Sequence, residues 1–276
     1  MLSILIMLAL TASCRRLLIE AYRSPLRTQS SRFSLSSIHT LNGFTFEEVE
    51  VFVDKLNSSV VILEASSRTQ ELLVDRALIC YKGAVEEDPY GSVLWPAAKT
   101  VSNRLCELDL TNSTVLELGT GTGLVSLVAA MVGAKRVLAT DYNPLTLEMV
   151  QLTISLQRYK SIPKDVIETR LFDVKDSSQP LPETDLLVIA DLLYDKELGI
   201  AVARRILEAK RKGVSIIVGD SPNRMGRPFM LEELRRHGID CEFQFVDGTT
   251  VSGYRNSLIS STPSKVMPIS MGLLEL

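Results

Sequence analysis

The sequence predicts an α/β fold in which a doubly wound, seven-stranded sheet carries helices on both faces and an amino-terminal β-hairpin is appended to it. Between residues 115 and 246, short apolar runs typical of buried strands alternate with segments of helical periodicity. The first of these runs ends in three alternating glycines and passes directly into an apolar helix. Residues 44–64 instead repeat with a period of two, which is typical of paired strands.

Composition sets the class of protein. The chain has 276 residues, of which 46% are hydrophobic, and this is enough to bury a full core. Its net charge of −3 gives no support for a broad nucleic-acid surface, so no nucleic-acid partner is expected. The four cysteines are scattered without a C-x-x-C pair. Neither a metal site nor a disulfide framework is therefore expected.

Residues 1–40 have the composition of a targeting leader. The first ten residues are apolar, and residues 15–40 carry five arginines, many serines and one acid, Glu20. Such a segment is typical of an organelle transit peptide, and its apolar start is too short for a membrane span. We expect a cleaved leader or disordered segment and a mitochondrial location, with a plastid or cytoplasmic location as alternatives. We expect no membrane anchor in the mature chain.

Residues 41–80 form the predicted β appendage. Strands at residues 44–53 and 59–64 flank a turn, and a helix follows at residues 69–77. A loop at residues 88–91 then leads to a helix that opens at Pro96 and runs to about residue 108. Trp95, the only tryptophan, precedes it. Trp95 either packs across the mouth of a cofactor loop or anchors the hairpin to the core.

The glycine-rich loop is the strongest functional signal. Gly119, Gly121 and Gly123 follow a buried strand in the order G-x-G-x-G, which differs from the G-x-G-x-x-G of a dinucleotide site. Glycines let the backbone turn tightly and approach a ligand, and the next helix offers its first N–H groups. Glu117 could face a cationic amino acid group, which S-adenosylmethionine has. The alternative is that the glycines serve only the geometry of the turn.

Acidic residues end the next two strands. Asp141 follows the strand at residues 136–140, about 20 residues after the glycines, where it can accept both ribose hydroxyls of an adenosine. Asp141 or Asn143 could equally cap the helix predicted at residues 145–159. Asp173 ends the strand at residues 167–172, where it either meets the adenine amino group or caps a turn.

The fourth strand of this series brings a second pair of polar residues to the same edge. Residues 185–190 form a continuous apolar run that ends at Asp191, with Tyr194 three residues later. Ligands bind beyond the carboxyl ends of such strands, so both side chains are expected to face the crevice of the glycine loop. Helices at 198–211 and 228–237 flank a strand at 214–218, and residues 241–246 and 257–260 could form a terminal antiparallel pair.

These motifs resemble those of the class I S-adenosylmethionine-dependent methyltransferases, and more narrowly their methyltransferase-like protein-lysine branch. The resemblance covers residues 91–259 and rests on Leu-Trp-Pro-Ala-Ala at 94–98, the glycine loop, Asp-Tyr-Asn at 141–143 and above all Asp-Leu-Leu-Tyr at 191–194, which matches the branch's Asp-x-x-Tyr signature. Residues 217–229 also resemble the electron-transfer-flavoprotein β-subunit lysine methyltransferase subgroup. The resemblance implies a Rossmann-like methyltransferase domain at residues 81–261, followed by a tail at 262–276.

The resemblance also implies roles for single residues. Asp191 and Tyr194 would be catalytic and border an entering lysine. The residues that would bind S-adenosyl-L-methionine are Trp95, Glu117, Gly119, Thr120, Gly121, Gly123, Asp141, Asn143, Asp173 and Asp191. The implied partner is a protein that presents a lysine, and the implied state is a monomer.

Other functions use a similar fold. A small-molecule N- or O-methyltransferase would share the cofactor half, and an NAD-dependent oxidoreductase would bind a different cofactor. A nucleic-acid adenine or protein-glutamine methyltransferase would carry Asn-Pro-Pro-Tyr where this chain has Asp-Leu-Leu-Tyr. A binding module without activity would be expected to have lost Asp141 or the glycines, and both are intact.

Overall fold

The computed structural model describes residues 37–79, 89–156, 162, 165–246 and 271–276. The first 36 residues of the predicted leader lie outside the described residues. So do residues 257–260, which the sequence offered as a terminal strand. No helix within the described ranges is long and apolar enough to cross a membrane.

A three-stranded antiparallel sheet opens the described chain. Its strands are β1 (Ile38–Leu41), β2 (Phe44–Val53) and β3 (Ser58–Ala65), and helix α1 (Ser67–Ile79) follows. The predicted hairpin of β2 and β3 is confirmed, and its turn uses Asn57 at a φ of 50°. The prediction that residues 1–40 lie outside the fold is wrong at its end. Ile38 pairs with Glu47 and Leu41 with Phe44, so residues 38–40 add an edge strand to the sheet.

The main sheet has seven strands, as predicted. They are β4 (Thr114–Leu118), β5 (Arg136–Asp141), β6 (Ile167–Leu171), β7 (Leu186–Ala190), β8 (Ser215–Asp220), β9 (Gln244–Val246) and β10 (Met271–Glu275), in the order β6-β5-β4-β7-β8-β10-β9. The five strands from β6 to β8 are parallel, and β10 is antiparallel to both of its neighbours. The carboxyl ends of β4, β5 and β7 therefore meet at one edge.

The carboxyl-terminal segment corrects the prediction of a separate tail at residues 262–276. Residues 271–275 form β10, which fills the gap between β8 and β9, and Met271 and Leu274 are buried in it. A Cβ on Gly272 would lie 2.9 Å from Cδ1 of Phe243, so glycine allows this close packing. The partner of β9 is therefore β10.

Helices cover both faces of the main sheet. They are α2 (Pro96–Leu105), α3 (Leu124–Met131), α4 (Pro144–Ser155), α5 (Lys196–Arg211) and α6 (Arg227–Arg236). Alternate residues of a strand serve opposite faces. In β7, Val188 packs in the cluster that includes α2 and α3, whereas Leu187 packs with α5 and α6. This is the doubly wound arrangement that the sequence predicts.

The amino-terminal sheet packs on the same side as α3 and α4. Val60 and Ile62 of β3 belong to the apolar cluster of α2 and α3, and Phe46 and Leu63 pack with Met149 of α4. The appendage is thus part of the same hydrophobic core, and it lies close to the helices that follow β4 and β5.

Candidate active site

The glycine loop connects β4 to α3 with a backbone that other residues rarely adopt. Gly119, Gly121 and Gly123 have φ values of 71°, 51° and 80°. All three lie in the left-handed region, where a side chain is strained. Turn geometry alone therefore requires these glycines, which is the alternative that the sequence left open.

Close packing adds a second requirement at the loop. A Cβ on Gly119 would lie 2.7 Å from Cδ1 of Leu192, and one on Gly123 would lie 3.1 Å from Cγ1 of Val150. The loop is therefore enclosed between the segment after β7 and helix α4. Its free face is the edge where the strands end.

Glu117 lies beneath the loop, with a side chain that is almost fully buried. Its Oε2 accepts hydrogen bonds from Oγ1 of Thr120 at 2.8 Å and from Oγ of Ser126 at 2.5 Å. Burial raises the pKa of Glu117 to about 7, and the negative charge of Asp141 acts in the same direction. Glu117 and Thr120 thus support the loop from within, and their contact with a cofactor stays a prediction.

Asp141 joins the end of β5 to the glycine loop. Its Oδ2 accepts from the N–H of Gly121 at 3.3 Å and its Oδ1 from the N–H of Asn143 at 3.0 Å. The cap of α4 is Asn143, whose Oδ1 accepts from the N–H of Leu145 at 2.9 Å. Asp141 thus joins the end of β5 to the loop, and its contact with ribose hydroxyls stays a prediction.

Asp173 lies at the same edge, after β6. The N–H of the preceding residue, Phe172, donates to the carbonyl of Asp141 at 2.9 Å. The carboxylate of Asp173 accepts from the N–H of Lys175 at 2.8 Å, which closes a local turn. The turn role is thus observed, and a contact with adenine stays a prediction.

Residues 89–95 form a segment across the glycine loop, which we call the strap. The carbonyl oxygen of Gly91 lies 3.4 Å from where a Cβ on Gly121 would be, and a Cβ on Gly91 would lie 2.8 Å from Oγ1 of Thr146 in α4. Trp95 ends the strap, and its indole N–H donates to the carbonyl of Tyr90 at 3.0 Å. The guanidinium of Arg224 stacks 4.6 Å from the centre of the Trp95 ring.

The two interpretations of Trp95, at the mouth of a cofactor loop or as an anchor of the hairpin, both stay predictions. The bonds to the amino-terminal sheet come from Ser92, whose carbonyl accepts from Ala65, and from Leu94, whose N–H donates to Glu64. The ring of Trp95 instead faces Arg224, in the loop after β8.

Asp191 directly follows β7, and its carboxylate accepts three hydrogen bonds from other parts of the chain. Its Oδ2 accepts from the N–H of Ala97 at 2.6 Å, and its Oδ1 accepts from the N–H of Ser221 at 2.8 Å and from Nη2 of Arg224 at 3.1 Å. The side chain is buried, and the backbone has a φ of 54°. Asp191 therefore holds the start of α2 and the loop after β8 in place. Its direct contact with an acceptor or a cofactor stays a prediction.

The other residues of the Asp-x-x-Tyr motif have different surroundings. Leu192 packs on Gly119, Leu193 is buried, and Tyr194 is 39% exposed. Asp195 caps α5 by accepting from the N–H of Leu198 at 2.7 Å. Tyr194 is therefore the polar side chain of the motif that reaches solvent, and its catalytic role stays a prediction.

A second buried carboxylate lies beside Asp191. Asp220 accepts from Nε of Arg227 at 2.9 Å. Burial and the charge of Asp191 raise the pKa of Asp220 to about 7, against the opposing charges of Arg227 and Arg224. Sequence reasoning missed Gly91, Leu192 and Arg224 as parts of the site. Arg224 could have been found from the sequence, because an arginine four residues after Asp220 is a candidate partner for a buried acid.

The residues at this edge fit the predicted cofactor, S-adenosylmethionine. The loop backbone allows an approach that Cβ atoms would block, and the Asp141 carboxylate lies at the loop.

Comparison with known proteins gives the family. A profile of the family described as lysine methyltransferase matches residues 80–225. The chain is 26% identical over 165 residues to the electron transfer flavoprotein beta subunit lysine methyltransferase of Homo sapiens, covering 56% of this chain and 59% of that protein. It is 30% identical over 173 residues to the protein N-lysine methyltransferase METTL21A of Xenopus tropicalis, covering 60% and 77% respectively.

A solved structure supports the fold. A chain from Streptococcus mutans, described as an S-adenosylmethionine-dependent methyltransferase, superimposes with a TM-score of 0.50 at 12% identity, covering 83% of this chain and 55% of that one. The match to the human relative spans 59% of that relative's length. The family profile itself covers more than half of this chain. The chain therefore belongs to the lysine methyltransferase family, and its cofactor is S-adenosyl-L-methionine.

Proposed function

We propose that this protein transfers a methyl group from S-adenosylmethionine to the side chain of a lysine in a protein substrate. One observation carries the proposal. The glycine loop with Asp141 and the Asp191–Tyr194 segment lie at one edge of the sheet, joined by the packing of Leu192 on Gly119. The proposed donor site and the proposed acceptor site would thus be adjacent. The family match and two relatives named as lysine methyltransferases support the choice of acceptor.

The main task of the protein in this reaction would be to align the cofactor's methyl group with the lysine amine. When bound, S-adenosylmethionine supplies a methyl group on a positively charged sulfur. A lysine amine must be neutral to attack it, although the pKa of a free lysine is about 10.4. A partly apolar channel for the lysine would favour the neutral amine, because removal from water disfavours the ammonium. The N–C bond would form as the S–C bond breaks, S-adenosylhomocysteine would leave with the electron pair of that bond, and the methylated ammonium would release a proton to water.

Individual residues would take separate parts in this step. The glycine loop would receive the amino acid portion of the cofactor, and Asp141 would hold the ribose. Tyr194 would orient the entering amine from the mouth of the site. Asp191 would act from behind, by fixing α2 and Arg224. Alignment of this kind accounts for much of the rate in reactions between two bound groups.

The direct test is a methyl-transfer assay. Purified protein is incubated with tritiated S-adenosylmethionine and a mitochondrial extract, and the label is traced to proteins or to small molecules. We expect labelled protein in which mass spectrometry finds methylated lysine, and an Asp141→Ala variant should transfer much less label at the same concentration of S-adenosylmethionine. Label confined to small molecules would instead indicate the small-molecule methyltransferase.

We also propose that the residues before Ile38 direct the protein to mitochondria and that it acts as a monomer. The arginine and serine content of residues 15–40 supports import. Mass spectrometry of the protein from cells should find a new amino terminus after residue 12 and before Ile38, the first residue of β1. An intact Met1 on a cytosolic protein would exclude import. Light scattering of the purified protein tests the monomer.

A further inference from the structure

Glu64, at the end of β3, reaches from the amino-terminal sheet to the strap. Its Oε1 accepts a hydrogen bond from the N–H of Leu94 at 2.6 Å. One residue further on, the N–H of Ala65 donates to the carbonyl of Ser92 at 2.9 Å. These two hydrogen bonds connect the end of β3 to the strap, so the amino-terminal sheet helps to fix the position of the strap.

The other side of the strap lies on the glycine loop. The Gly91 carbonyl oxygen lies 3.4 Å from the position of a Cβ on Gly121, so the strap lies directly next to the loop. Gly91 also lies close to Thr146, in the first turn of α4, because a Cβ at this position would come within 2.8 Å of Oγ1 of Thr146. A displacement of the strap would therefore change the space next to the loop.

The carboxyl end of the strap is held by different groups. The Trp95 indole N–H bonds back to Tyr90, and the ring stacks on Arg224, which itself donates to Asp191. Leu94 lies directly before Trp95 in the chain. The hydrogen bond from the N–H of Leu94 to Glu64 therefore fixes the backbone next to Trp95.

We infer that Glu64 is a positioning residue for the cofactor pocket: its carboxylate fixes Leu94, and through Leu94 it holds Gly91 and Trp95 of the strap against the glycine loop. The amino-terminal sheet would then support cofactor binding as well as contribute to the hydrophobic core. The inference rests on the proposed function only for the identity of the ligand that the pocket takes.

The surroundings of Glu64 show why an acid can serve here. Glu47 of β2 lies opposite Glu64 in the sheet. Burial raises the pKa of Glu64 to about 7, the charge of Glu47 adds to this, and the bond from Leu94 opposes it. A carboxyl group accepts a hydrogen bond in either protonation state. The carbonyl of a glutamine has the same reach, so glutamine should replace Glu64, whereas alanine should not.

Trp95 provides the measurement, since it is the only tryptophan in the chain. Its fluorescence reports on the strap with or without a ligand. The full-length protein is compared with Glu64→Ala, Glu64→Gln and the shorter Glu64→Asp. Glu50→Ala, which changes an exposed acid on β2, is the matched control. Each protein is examined by its emission maximum, by acrylamide quenching and by calorimetric titration with S-adenosylhomocysteine.

We expect Glu64→Ala and Glu64→Asp to shift the Trp95 emission to longer wavelength and to increase its quenching. Affinity for S-adenosylhomocysteine should fall about tenfold, as expected for the loss of one hydrogen bond. Glu64→Gln and Glu50→Ala should match the unchanged protein in all three measurements. If Glu64→Ala does not fold, Glu64→Asp decides, because it keeps the charge and most of the volume.

A purely structural role for Glu64 predicts a different result. Its variants would then melt at lower temperature but, while folded, would keep the emission maximum and the affinity of the unchanged protein, and that result would overturn the inference. A chain that binds no S-adenosylhomocysteine in any form would refute the proposed function instead. In that case the Trp95 emission of Glu64→Ala still decides whether Glu64 positions the strap.

Discussion

The two sides of the crevice are built in different ways. On the glycine-loop side, the polar contacts span at most about 20 positions: Thr120 and Ser126 bond to Glu117 from three and nine positions away, and Gly121 bonds to Asp141 from 20. On the side of β7 and β8, Asp191 bonds to Ala97 from a distance of 94 positions in the chain and to Arg224 from 33. Both sides use a buried carboxylate, but one supports its own loop and the other joins three separate segments.

This difference determines what a substitution should change. A change on the glycine-loop side alters the surface proposed to bind the cofactor, so it should act mainly on affinity. A change on the β7 and β8 side releases α2, the strap and the loop after β8 together, so it should act on stability first. The predictions below test this distinction, from the largest expected effect to the smallest.

The largest effect is expected for Asp191→Ala. The substitution leaves two backbone N–H groups and the Arg224 guanidinium without their acceptor in a buried site. Removing one partner of a buried ion pair costs about 3–5 kcal/mol in the free energy of unfolding. Urea denaturation measures this loss. Asp191→Asn should lose less, because asparagine tolerates a positive φ and still accepts hydrogen bonds.

Asp195→Ala is the matched control for Asp191→Ala. Asp195 also follows β7, but it only caps α5, and the loss of a cap costs about 1 kcal/mol. If Asp191→Ala unfolded at the same urea concentration as the unchanged protein and lost only turnover, Asp191 would act directly on the acceptor.

Asp141→Ala should act mainly on cofactor affinity. It removes the carboxylate proposed to hold both ribose hydroxyls, and hydrogen bonds to charged groups of this kind contribute about 2–4 kcal/mol together. Calorimetric titration with S-adenosylhomocysteine should show a loss of about 30-fold or more. Asp173→Ala, which removes an acid from the neighbouring turn, should have a smaller effect. Unchanged affinity of Asp141→Ala would contradict this placement of the cofactor.

Glu117 should make stability depend on pH. Its pKa is raised from the ordinary value of 4.5 to about 7, so between these pH values the folded state holds a proton that the unfolded state has released. The free energy of unfolding should therefore fall as the pH rises through this window, by about 1–3 kcal/mol from this residue. Denaturation at pH 5 and pH 8 measures the change.

Glu117→Gln isolates the contribution of Glu117. Glu64 and Asp220 have pKa values raised in the same direction, and they remain in this variant. The loss of stability between pH 5 and pH 8 should be smaller in Glu117→Gln than in the unchanged protein. Identical pH profiles for the two proteins would show that Glu117 does not titrate in this range.

The smallest effect on stability is expected from a pair of glycine substitutions. Gly119 and Gly213 share a φ of 71°, but a Cβ on Gly213 would meet open space, whereas one on Gly119 would meet the end of the Leu192 side chain. Gly119→Ala and Gly213→Ala should each cost about 1–2 kcal/mol, since the backbone strain is the same and Leu192 can rotate. Only Gly119→Ala should weaken binding of S-adenosylhomocysteine. Equal affinities would place the ligand away from the loop.

The same difference explains how much could be predicted from the sequence. The glycine loop, the acid at the end of β5 and the cap at Asn143 each belong to a short sequence motif, so the sequence predicts them. The strap depends on Gly91 meeting Gly121 and on Leu94 meeting Glu64, which only the folded chain brings together.

Two strands were missed for a similar reason. β1 is a four-residue edge strand next to an arginine-rich segment, and its hydrophobic pattern is too short to separate it from a leader. β10 has five residues and enters the sheet between β8 and β9, far from its partners in sequence. Asp191 was identified from its motif, but its three donors lie on α2 and on the loop after β8, so its positioning role needed the structure.

Thermal unfolding with and without S-adenosylhomocysteine at one fixed excess tests the central distinction most directly, because the ligand raises the free energy of unfolding with the logarithm of the ratio of its concentration to Kd. The measurement compares the unchanged protein with Asp141→Ala and Asp191→Ala. We expect Asp141→Ala to melt closer to the unchanged protein without ligand but to lose most of the ligand-induced rise. Asp191→Ala should melt at a much lower temperature and keep more of the rise. Equal losses of both quantities in the two variants would contradict the division of the crevice into a ligand-binding side and a positioning side.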